Sequence, residues 1–392
     1  MKLLFLSPWF PYPPDNGSRI RVYNLLRSLA RKYEVTLAAF SPEEPDLSGL
    51  DFCSRVEVVR RTPFRKSPLM ERTHLFLPFP IVLYPDDEMR RRVKALLKGE
   101  NYSVAVAFST TVAAYLLGSG IPKVLDLDTG LTGFALERLR LEENGGRRLR
   151  AWLSLQKSIL AEREIVRRFD GTVVISRAGC QSLAPVLSGV RRLAVAGHGV
   201  DLDYYPLGLA EPEPETLVYN GSLTFFANHD AIRWFLEQVF PLIRREAPSV
   251  SLRVTGKADG VNLEDLPNRE GLHLTGYVPD VRPVVAGASV CIVPIRIGGG
   301  QRLKILEAMA LGTPVVSTRK GMEGLEDFTP GEHALVADEP EEFAQAVLCL
   351  LRSREQRDTI ARNARRLMET RYRWDTVLDP FLDLVDKAAR ES

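Results

Sequence analysis

The sequence predicts an α/β protein of two domains, each built around a parallel β-sheet. Short apolar runs alternate with helical stretches along the chain, and this alternation is typical of βαβ units. A chain of 392 residues exceeds one ordinary domain and fits two of about 200 residues. Residues 210–215, AEPEPE, are rich in Pro and Glu without periodicity, which predicts a linker near mid-chain.

The individual elements follow from local apolar patterns. In the N-terminal half, short apolar runs predict strands at 2–7, 34–40, 56–60, 104–108, 123–128 and 171–175. Apolar stripes of helical period predict helices at 20–32 and 149–168. In the C-terminal half we expect strands at 216–220, 251–255, 272–275, 290–293 and 313–317, and helices at 235–247, 301–311, 341–351, 354–369 and 374–389.

Composition excludes several classes of protein. Hydrophobic residues make up 45% of the chain and charged residues 26%, as in soluble globular proteins. No apolar run approaches the roughly 20 residues of a membrane span. The N-terminus, MKLLFLSPWFPYPP, lacks a small-residue cleavage site and fits a first strand better than a signal peptide. Four scattered cysteines without C-x-x-C spacing argue against disulfides and a zinc site, so we expect a cytoplasmic protein.

The charge is unevenly distributed. Residues 1–200 hold 30 Lys and Arg against 20 Asp and Glu, a net +10, whereas residues 201–392 carry a net −8. No nucleic-acid motif is visible, so the basic half predicts peripheral contact with an anionic membrane at its inner face. Residues 63–85 mix cations, aromatic residues and prolines, and Arg90, Arg91 and Arg92 follow as the expected lipid contacts. The alternative is a proline-rich loop that packs on its own domain.

Residues 288–325 form the most informative segment. A buried strand is followed by Gly298, Gly299 and Gly300, and then by a helix that ends at Gly312. Bare amides of a glycine loop together with a helix N-terminus form an anion site. Arg302 and Lys304 add positive charge to that site. The segment therefore predicts binding of a phosphorylated ligand, with Glu307 one turn further along the helix to accept hydrogen bonds from hydroxyl groups.

This segment resembles the donor-binding signature of glycosyltransferase family 4, the retaining enzymes of the GT-B fold. The resemblance is carried by Glu307-Ala308 and by the turn Gly312-Thr313-Pro314-Val315-Val316. It implies two facing Rossmann-like domains with parallel sheets and an interdomain cleft. We expect an acceptor domain at 1–205, a nucleotide-sugar donor domain at 206–371, and a C-terminal helix at 372–392 that crosses back to the first domain.

The resemblance assigns roles in the first domain. Gly17 follows the first strand and lies, in the family, under the donor phosphates. Family members often carry a His near the end of the strand at 123–128, where this chain has Asp128 or Thr129. Asp128 is therefore the expected catalytic residue there, beside Gly17 and Lys304. Asp126-Leu127-Asp128 also spells the D-x-D of metal-dependent transferases, but strand alternation separates the two carboxylates and the resemblance implies no metal.

In the second domain the chain departs from the family. The family usually has Gly-Arg and, six residues later, Lys; here Gly221 is followed by Ser222 and then Asn228. Gly299 stands where the first of two glutamates is usual. Our hypothesis is that Arg302 and Lys304 supply the missing charge; the alternative is that they are solvated surface residues. The full set of expected donor-binding residues is Gly221, Ser222, Asn228, Tyr277, Val278, Gly298, Gly299, Gly300, Gln301, Arg302, Lys304 and Glu307.

These features predict a retaining, metal-independent glycosyltransferase that needs no cofactor and acts on a glycan, a lipid-linked or a surface-polysaccharide acceptor. Two alternatives remain: a nucleotide-sugar 2-epimerase of the same fold, and a non-catalytic nucleotide-sugar sensor or scaffold. The absence of the usual Arg/Lys pair favours the second. A nicotinamide-dependent dehydrogenase is disfavoured because no G-x-G-x-x-G follows the first strand.

Overall fold

A computed structural model describes residues 1–64, 80, 83–128 and 130–390 of the chain, and seven strands in these residues form a first parallel sheet. The strands are β1 (Lys2–Ser7), β2 (Glu34–Phe40), β3 (Arg55–Val59), β4 (Val104–Phe108), β5 (Lys123–Asp126), β6 (Gly171–Val174) and β7 (Leu193–Val195). Their order is β3-β2-β1-β4-β5-β6-β7. The order reverses between β1 and β4, which is where open α/β sheets bind ligands, beyond the carboxyl ends of the strands.

The helices of this unit connect the parallel strands. They are α1 (Gly17–Leu29), α2 (Asp87–Gly99), α3 (Thr110–Ala113), α4 (Gly130–Leu141), α5 (Gly145–Arg167), α6 (Arg177–Ser182) and α7 (Ala184–Leu187). Asn16 caps α1 by accepting a hydrogen bond from Arg19 N at 3.2 Å, so the helix begins three residues before the predicted start. The central strands β1 and β4 are almost completely buried, as expected for strands covered on both faces.

The second sheet repeats this topology with six strands among the described residues. The strands are β8 (Glu213–Asn220), β9 (Ser251–Thr255), β10 (Leu272–Gly276), β11 (Ala288–Val293), β12 (Val315–Ser317) and β13 (Leu335–Val336). Their order is β10-β9-β8-β11-β12-β13, and all of the pairings are parallel. The reversal point lies between β8 and β11.

Helices cover the second sheet and complete its core. They are α8 (Phe226–Trp234), α9 (Phe240–Glu246), α10 (Arg282–Ala286), α11 (Leu303–Leu311), α12 (Pro340–Arg352), α13 (Arg354–Arg371) and α14 (Trp374–Val377). A π-helical turn, Phe235–Val239, joins α8 to α9, and Pro241 stands in the first turn of α9. Because proline has no N–H to donate, the backbone hydrogen bonds shift their register there.

The last helix, α15 (Asp379–Arg390), belongs to the first unit. It contacts β4 to β7, and Leu384 packs against Gly171. The two units are thus Met1–Gly197 with the C-terminal segment from Leu378, and His198–Val377. The divisions fall after residues 197 and 377, whereas the sequence placed them after 205 and 371. No helix in the described part of the chain is long and apolar enough to cross a membrane.

Candidate functional site

The predicted donor-binding residues gather at the reversal point of the second sheet. β8 ends at Asn220 and is followed by Gly221 and Ser222. Its neighbour β11 ends at Val293 and is followed by the loop that contains Gly298 to Gly300. Since the two strands are parallel, both loops leave the same edge of the sheet. The second unit therefore presents a backbone-rich, polar edge where ligands of such sheets bind.

Asn228, in the first turns of α8, connects the elements of this edge. Its Oδ1 accepts hydrogen bonds from Lys304 Nζ at 3.0 Å and from Tyr219 Oη at 2.7 Å. Its Nδ2 donates to the backbone oxygen of Ser222 at 2.8 Å. The side-chain amide thus fixes the lysine of α11 and the loop after β8 in one arrangement.

Gly221 is required by the approach of Lys304. A Cβ atom at Gly221 would lie 2.4 Å from Lys304 Nζ and 2.9 Å from Asn228 Nδ2. Both distances are shorter than any normal contact, so a side chain here would displace the ammonium group. Ser222 acts differently, because its hydroxyl donates to the backbone oxygen of Lys257 at 2.8 Å and ties the loop after β8 to the loop after β9.

Lys304 lies in surroundings that weaken its charge. Its Nζ is 3.9 Å from the centroid of the Tyr219 ring, a cation–π distance. Burial, and secondarily the positive charge of Arg302, lower the pKa of Lys304 to about 7. An anion at this edge would favour the protonated form and raise that pKa. The sequence assigned Lys304 to diphosphate binding, and this geometry is compatible with that role.

Arg302 organises the glycine loop from within. Its guanidinium donates from Nη2 to the backbone oxygens of Gly298 at 2.9 Å and Ile297 at 3.3 Å. Gly298 and Gly300 have φ of 90° and 87°, which side chains rarely tolerate. Arg302 thus holds the loop backbone, whereas Lys304 lies beside the loop after β8. The hypothesis that both supply charge to a diphosphate stays a prediction.

The helix α11 begins later than predicted. Arg302 is its N-cap residue in an extended conformation, and its side chain makes no capping hydrogen bond to the first turn. The helix dipole favours an anion at this end of α11. Gln301, predicted to contact the donor, is buried, and its Oε1 accepts a hydrogen bond from His198 N at 2.6 Å. Its side chain therefore anchors the segment that leads into the second unit.

Glu307 is held by two partners in its own unit. Its Oε1 accepts from Tyr205 Oη at 2.9 Å and its Oε2 accepts from Asn220 Nδ2 at 2.8 Å. Burial is the largest influence on this carboxyl group and raises its pKa, against the opposing effect of both hydrogen bonds and of Lys304. Each oxygen keeps further acceptor capacity. Glu307 therefore serves the packing of the site whether or not a ligand hydroxyl binds to it.

We expect Glu307→Gln to weaken binding of a nucleoside diphosphate and to reduce any preference for ribose over deoxyribose. The neutral amide accepts weaker hydrogen bonds than the carboxylate, by about 1 kcal/mol or more. Calorimetric titration of both diphosphates against wild type and variant measures the effect. Equal affinity of the wild type for the ribo and deoxy forms would leave Glu307 a purely structural residue.

Tyr277 and Val278 stand in the loop after β10, where the sequence placed recognition of the nucleobase. The Tyr277 side chain is largely exposed, with 58% of its surface accessible, and Lys257 Nζ lies 5.7 Å from the centroid of its ring. Phe225 and Phe226, beside the loop after β8, are also exposed and pack together with ring centroids 4.9 Å apart. Flat apolar rings thus border the polar edge.

The reversal point of the first sheet holds a buried ion pair that sequence reasoning missed. The guanidinium of Arg21 donates to Asp126 at 2.8 to 3.3 Å, and both side chains are inaccessible to solvent. Arg21 also donates to the backbone oxygens of Ala196 and Gly197, each at 2.8 Å. The only local signal was an arginine within the apolar stripe of α1.

This pair determines how the D-x-D sequence is used. Asp126 Oδ1 accepts from Asp128 N at 3.2 Å in addition to binding Arg21, so the first carboxylate is committed to the interior. Asp128 follows the end of β5 and is partly exposed. In the described residues, no group of three or more His, Cys, Asp or Glu is arranged to hold a metal ion. The alternative of Thr129 lies outside the described residues.

Glu162 of α5 is a second buried carboxylate that the sequence did not single out. It accepts from Leu131 N and Thr132 N, both at 2.8 Å, and from Thr110 Oγ1 at 2.9 Å. The carboxylate thus caps the N-terminus of α4, where its charge is favourable to the helix dipole. Gly17 begins α1 directly after the Asn16 cap, at the carboxyl edge of the same sheet.

The expected lipid-contact arginines lie on α2 among carboxylates. Arg90 pairs with Asp87 at 3.2 Å, and Arg92 pairs with Glu57 at 3.0 Å and Glu88 at 2.9 Å. Arg91 is exposed. Most of the proline-rich segment 63–85, with residues 65–79 and 81–82, lies outside the described residues.

The second unit of the chain is similar to a known protein family. Residues 214–353, which contain the polar edge of the second sheet, match the family model described as glycosyl transferases group 1. This region is thus similar to the glycosyltransferases of that family. The match confirms the predicted enzyme class.

Similar proteins extend the comparison to the whole chain. An uncharacterized 44.6 kDa protein in the cps region of Klebsiella pneumoniae is 22% identical over 387 residues, which cover 95% of this chain and 96% of that protein. Sucrose-phosphate synthase from Thermosynechococcus elongatus superposes with a TM-score of 0.75 at 17% identity over 100% of both chains. Alr3699/HepE of Anabaena, solved in complex with UDP and glucose, gives 0.68 at 15% identity over 99% of this chain and 100% of its own. These likenesses confirm the predicted GT-B fold, with a Rossmann-like parallel sheet in each unit.

Proposed function

We propose that the protein is a retaining, metal-independent glycosyltransferase whose donor, a nucleoside-diphosphate sugar, binds the second unit. The observation that carries this proposal is the arrangement of Lys304, Asn228 and Gly221 at the carboxyl edge of the second sheet, inside the region similar to glycosyltransferases. The complex of HepE with UDP and glucose supports a diphosphate donor for a chain of this fold.

The residues of this edge suit a departing diphosphate. In a retaining reaction of the expected kind, negative charge grows on the leaving diphosphate while the acceptor hydroxyl attacks from the same face and gives its proton to the leaving phosphate. Lys304 and the amides of the Gly298 to Gly300 loop with the first turn of α11 supply fixed positive charge for that group. Arg302 keeps the loop in shape and Asn228 orients Lys304, so the site needs little reorganisation.

The acceptor is assigned to the first unit, with Gly17 and Asp128 at the carboxyl edge of its sheet as the proposed reacting side. We propose a lipid-linked glycan or another precursor of a surface polysaccharide. The relative from the cps region and the basic character of the N-terminal half both favour an anionic or membrane-bound acceptor. We also propose a cytoplasmic location with contact to the inner membrane surface.

A panel of nucleotide sugars tests the function. Release of nucleoside diphosphate should depend on one donor, increase with a lipid-linked or glycan acceptor, and give a product with the anomeric configuration of the donor. Binding of the donor without release of diphosphate would instead identify a nucleotide-sugar sensor or scaffold. Conversion of the donor to its 2-epimer without acceptor would identify an epimerase of the same fold.

Transfer should survive an excess of a chelator. Charge on the diphosphate is balanced here by Lys304 and by backbone amides, and Asp126 is engaged with Arg21 in the interior. Initial rates measured with and without chelator should agree within about twofold. Loss of a catalytic metal would raise the barrier by several kcal/mol and so slow the reaction far more. Activity that disappears with chelator and returns with manganese would make Asp128 part of a metal site and overturn the mechanism.

A further inference from the structure

The N-terminal part of α5 exposes an apolar face that the core does not need. Leu149, Trp152, Leu153 and Leu160 keep 60%, 47%, 49% and 61% of their surface accessible. Spacings of three, four and eleven residues place them on one side of the helix. The opposite side is already buried by Ala151, Leu155, Ser158, Ala161 and Glu162. The helix is therefore apolar on two faces, and only one of them packs on the unit.

Positive charge flanks this exposed face. Residues 145–160 contain Arg147, Arg148, Arg150 and Lys157 and not one Asp or Glu. The three arginines are exposed and stand on both sides of the apolar stripe. Trp and Leu on one face with Arg and Lys beside them are typical of helices that lie in the plane of a membrane surface. Each such cation contributes about 1 kcal/mol near anionic lipid.

We propose that the face of α5 defined by Leu149, Trp152, Leu153 and Leu160 binds the surface of an anionic lipid bilayer. The cations would contact lipid phosphates while the apolar side chains enter the boundary between headgroups and acyl chains. A second copy of the chain is a poorer occupant, because a two-fold contact would place the arginines of one copy against those of the other. This surface is distinct from Arg90, Arg91 and Arg92, two of which pair with carboxylates.

Sedimentation with lipid vesicles tests this surface without donor or acceptor, so its outcome is independent of glycosyl transfer. Wild type should sediment with vesicles of phosphatidylcholine and phosphatidylglycerol in equal parts at low salt, and much less with phosphatidylcholine alone. Arg147→Glu/Arg148→Glu/Arg150→Glu should lower the partition coefficient by about 100-fold or more. Leu149→Ser/Trp152→Ser/Leu153→Ser should lower it by about tenfold or more.

The matched control is Arg90→Glu/Arg91→Glu/Arg92→Glu, which changes net charge by the same amount on α2. We expect it to bind far more tightly than the α5 charge variant, because Arg90 and Arg92 are paired with carboxylates and the three arginines lie on another helix. Equal loss in both charge variants, or binding that survives the α5 changes, would overturn the proposal. The proposal would also be overturned if the wild type did not bind anionic vesicles but formed a dimer, and if the apolar variant were monomeric. Arg92 is half-buried and paired with Glu57 and Glu88, whereas the other altered side chains are exposed. Unchanged thermal unfolding by circular dichroism is therefore required of every variant before its binding is compared.

Discussion

Asp126→Ala should destabilise the first unit by about 3–5 kcal/mol, the usual cost of removing one partner from a buried ion pair. The change leaves the guanidinium of Arg21 inaccessible to solvent with only the backbone oxygens of Ala196 and Gly197 as acceptors. Unfolding of the intact protein in urea, followed by circular dichroism, should show an earlier transition for this unit. With two units, the two transitions need separate fitting.

Two variants make this result interpretable. Asp15→Ala removes the exposed carboxylate that pairs with Arg19 at 3.0 Å. Arg19 is a residue of α1, as Arg21 is, and the loss of this exposed pair should cost less than about 1 kcal/mol. Arg21→Met/Asp126→Leu replaces both charges by apolar groups and should recover much of the loss, because no buried charge remains. If Asp126→Ala and Asp15→Ala cost the same, the buried pair does not hold the edge of the first sheet together.

Lys304→Ala should weaken binding of a nucleoside diphosphate by about 1.5–3 kcal/mol, the range for a hydrogen bond to a charged group. The site holds Lys304 Nζ between Asn228 and the Tyr219 ring, so Lys304→Ala removes the cation that is proposed to bind the diphosphate. Calorimetric titration below pH 7 measures the effect. Arg319→Ala is the control, because it removes an exposed cation after β12 that pairs with Asp338.

The same interaction predicts a pH dependence. The pKa of Lys304 is lowered to about 7, so the free site loses its charge as pH rises above that value, and binding must then take up a proton. Affinity for the diphosphate should therefore fall as pH rises through and above 7. Ionisation of the terminal phosphate acts in the opposite direction, since it adds charge to the ligand. Lys304→Arg, which stays protonated, should abolish the fall; a wild type whose affinity is constant over this range would contradict the assignment.

Features of the second unit that depend on neighbouring residues, such as the end of a helix, were predicted well from the sequence. Gly312 has φ of 79° and ends α11, as its position after the apolar stripe indicated. The start of α11 was placed two residues early because Gln301 and Arg302 favour helices by composition, whereas here both side chains bond to backbone of other segments. Contacts made by the folded chain overrode propensity at these two positions.

Pairing between distant segments explains the other differences. The Pro- and Glu-rich segment predicted as a linker contains the start of β8, because Glu213 N donates to Gly287 O at 2.9 Å and Ser289 Oγ donates to Glu213 O at 2.7 Å. Arg21 and Asp126 are 105 residues apart, so no periodic pattern links them. The sequence did not predict the hydrogen bonds of Asn228 and Ser222 either. Their presence in place of the usual Arg and Lys indicated a loss of positive charge, but not which contacts they make instead.

The hydrogen bond between Asn228 and Lys304 also constrains how this site can evolve. In the family that the sequence resembles, a lysine is usual at the position of Asn228. With Asn228 Oδ1 only 3.0 Å from Lys304 Nζ, a lysine at 228 alone would bring two ammonium groups into one place. Loss of Lys304 alone would leave none. The two positions are therefore coupled: a change of charge at either one alters what the other can hold.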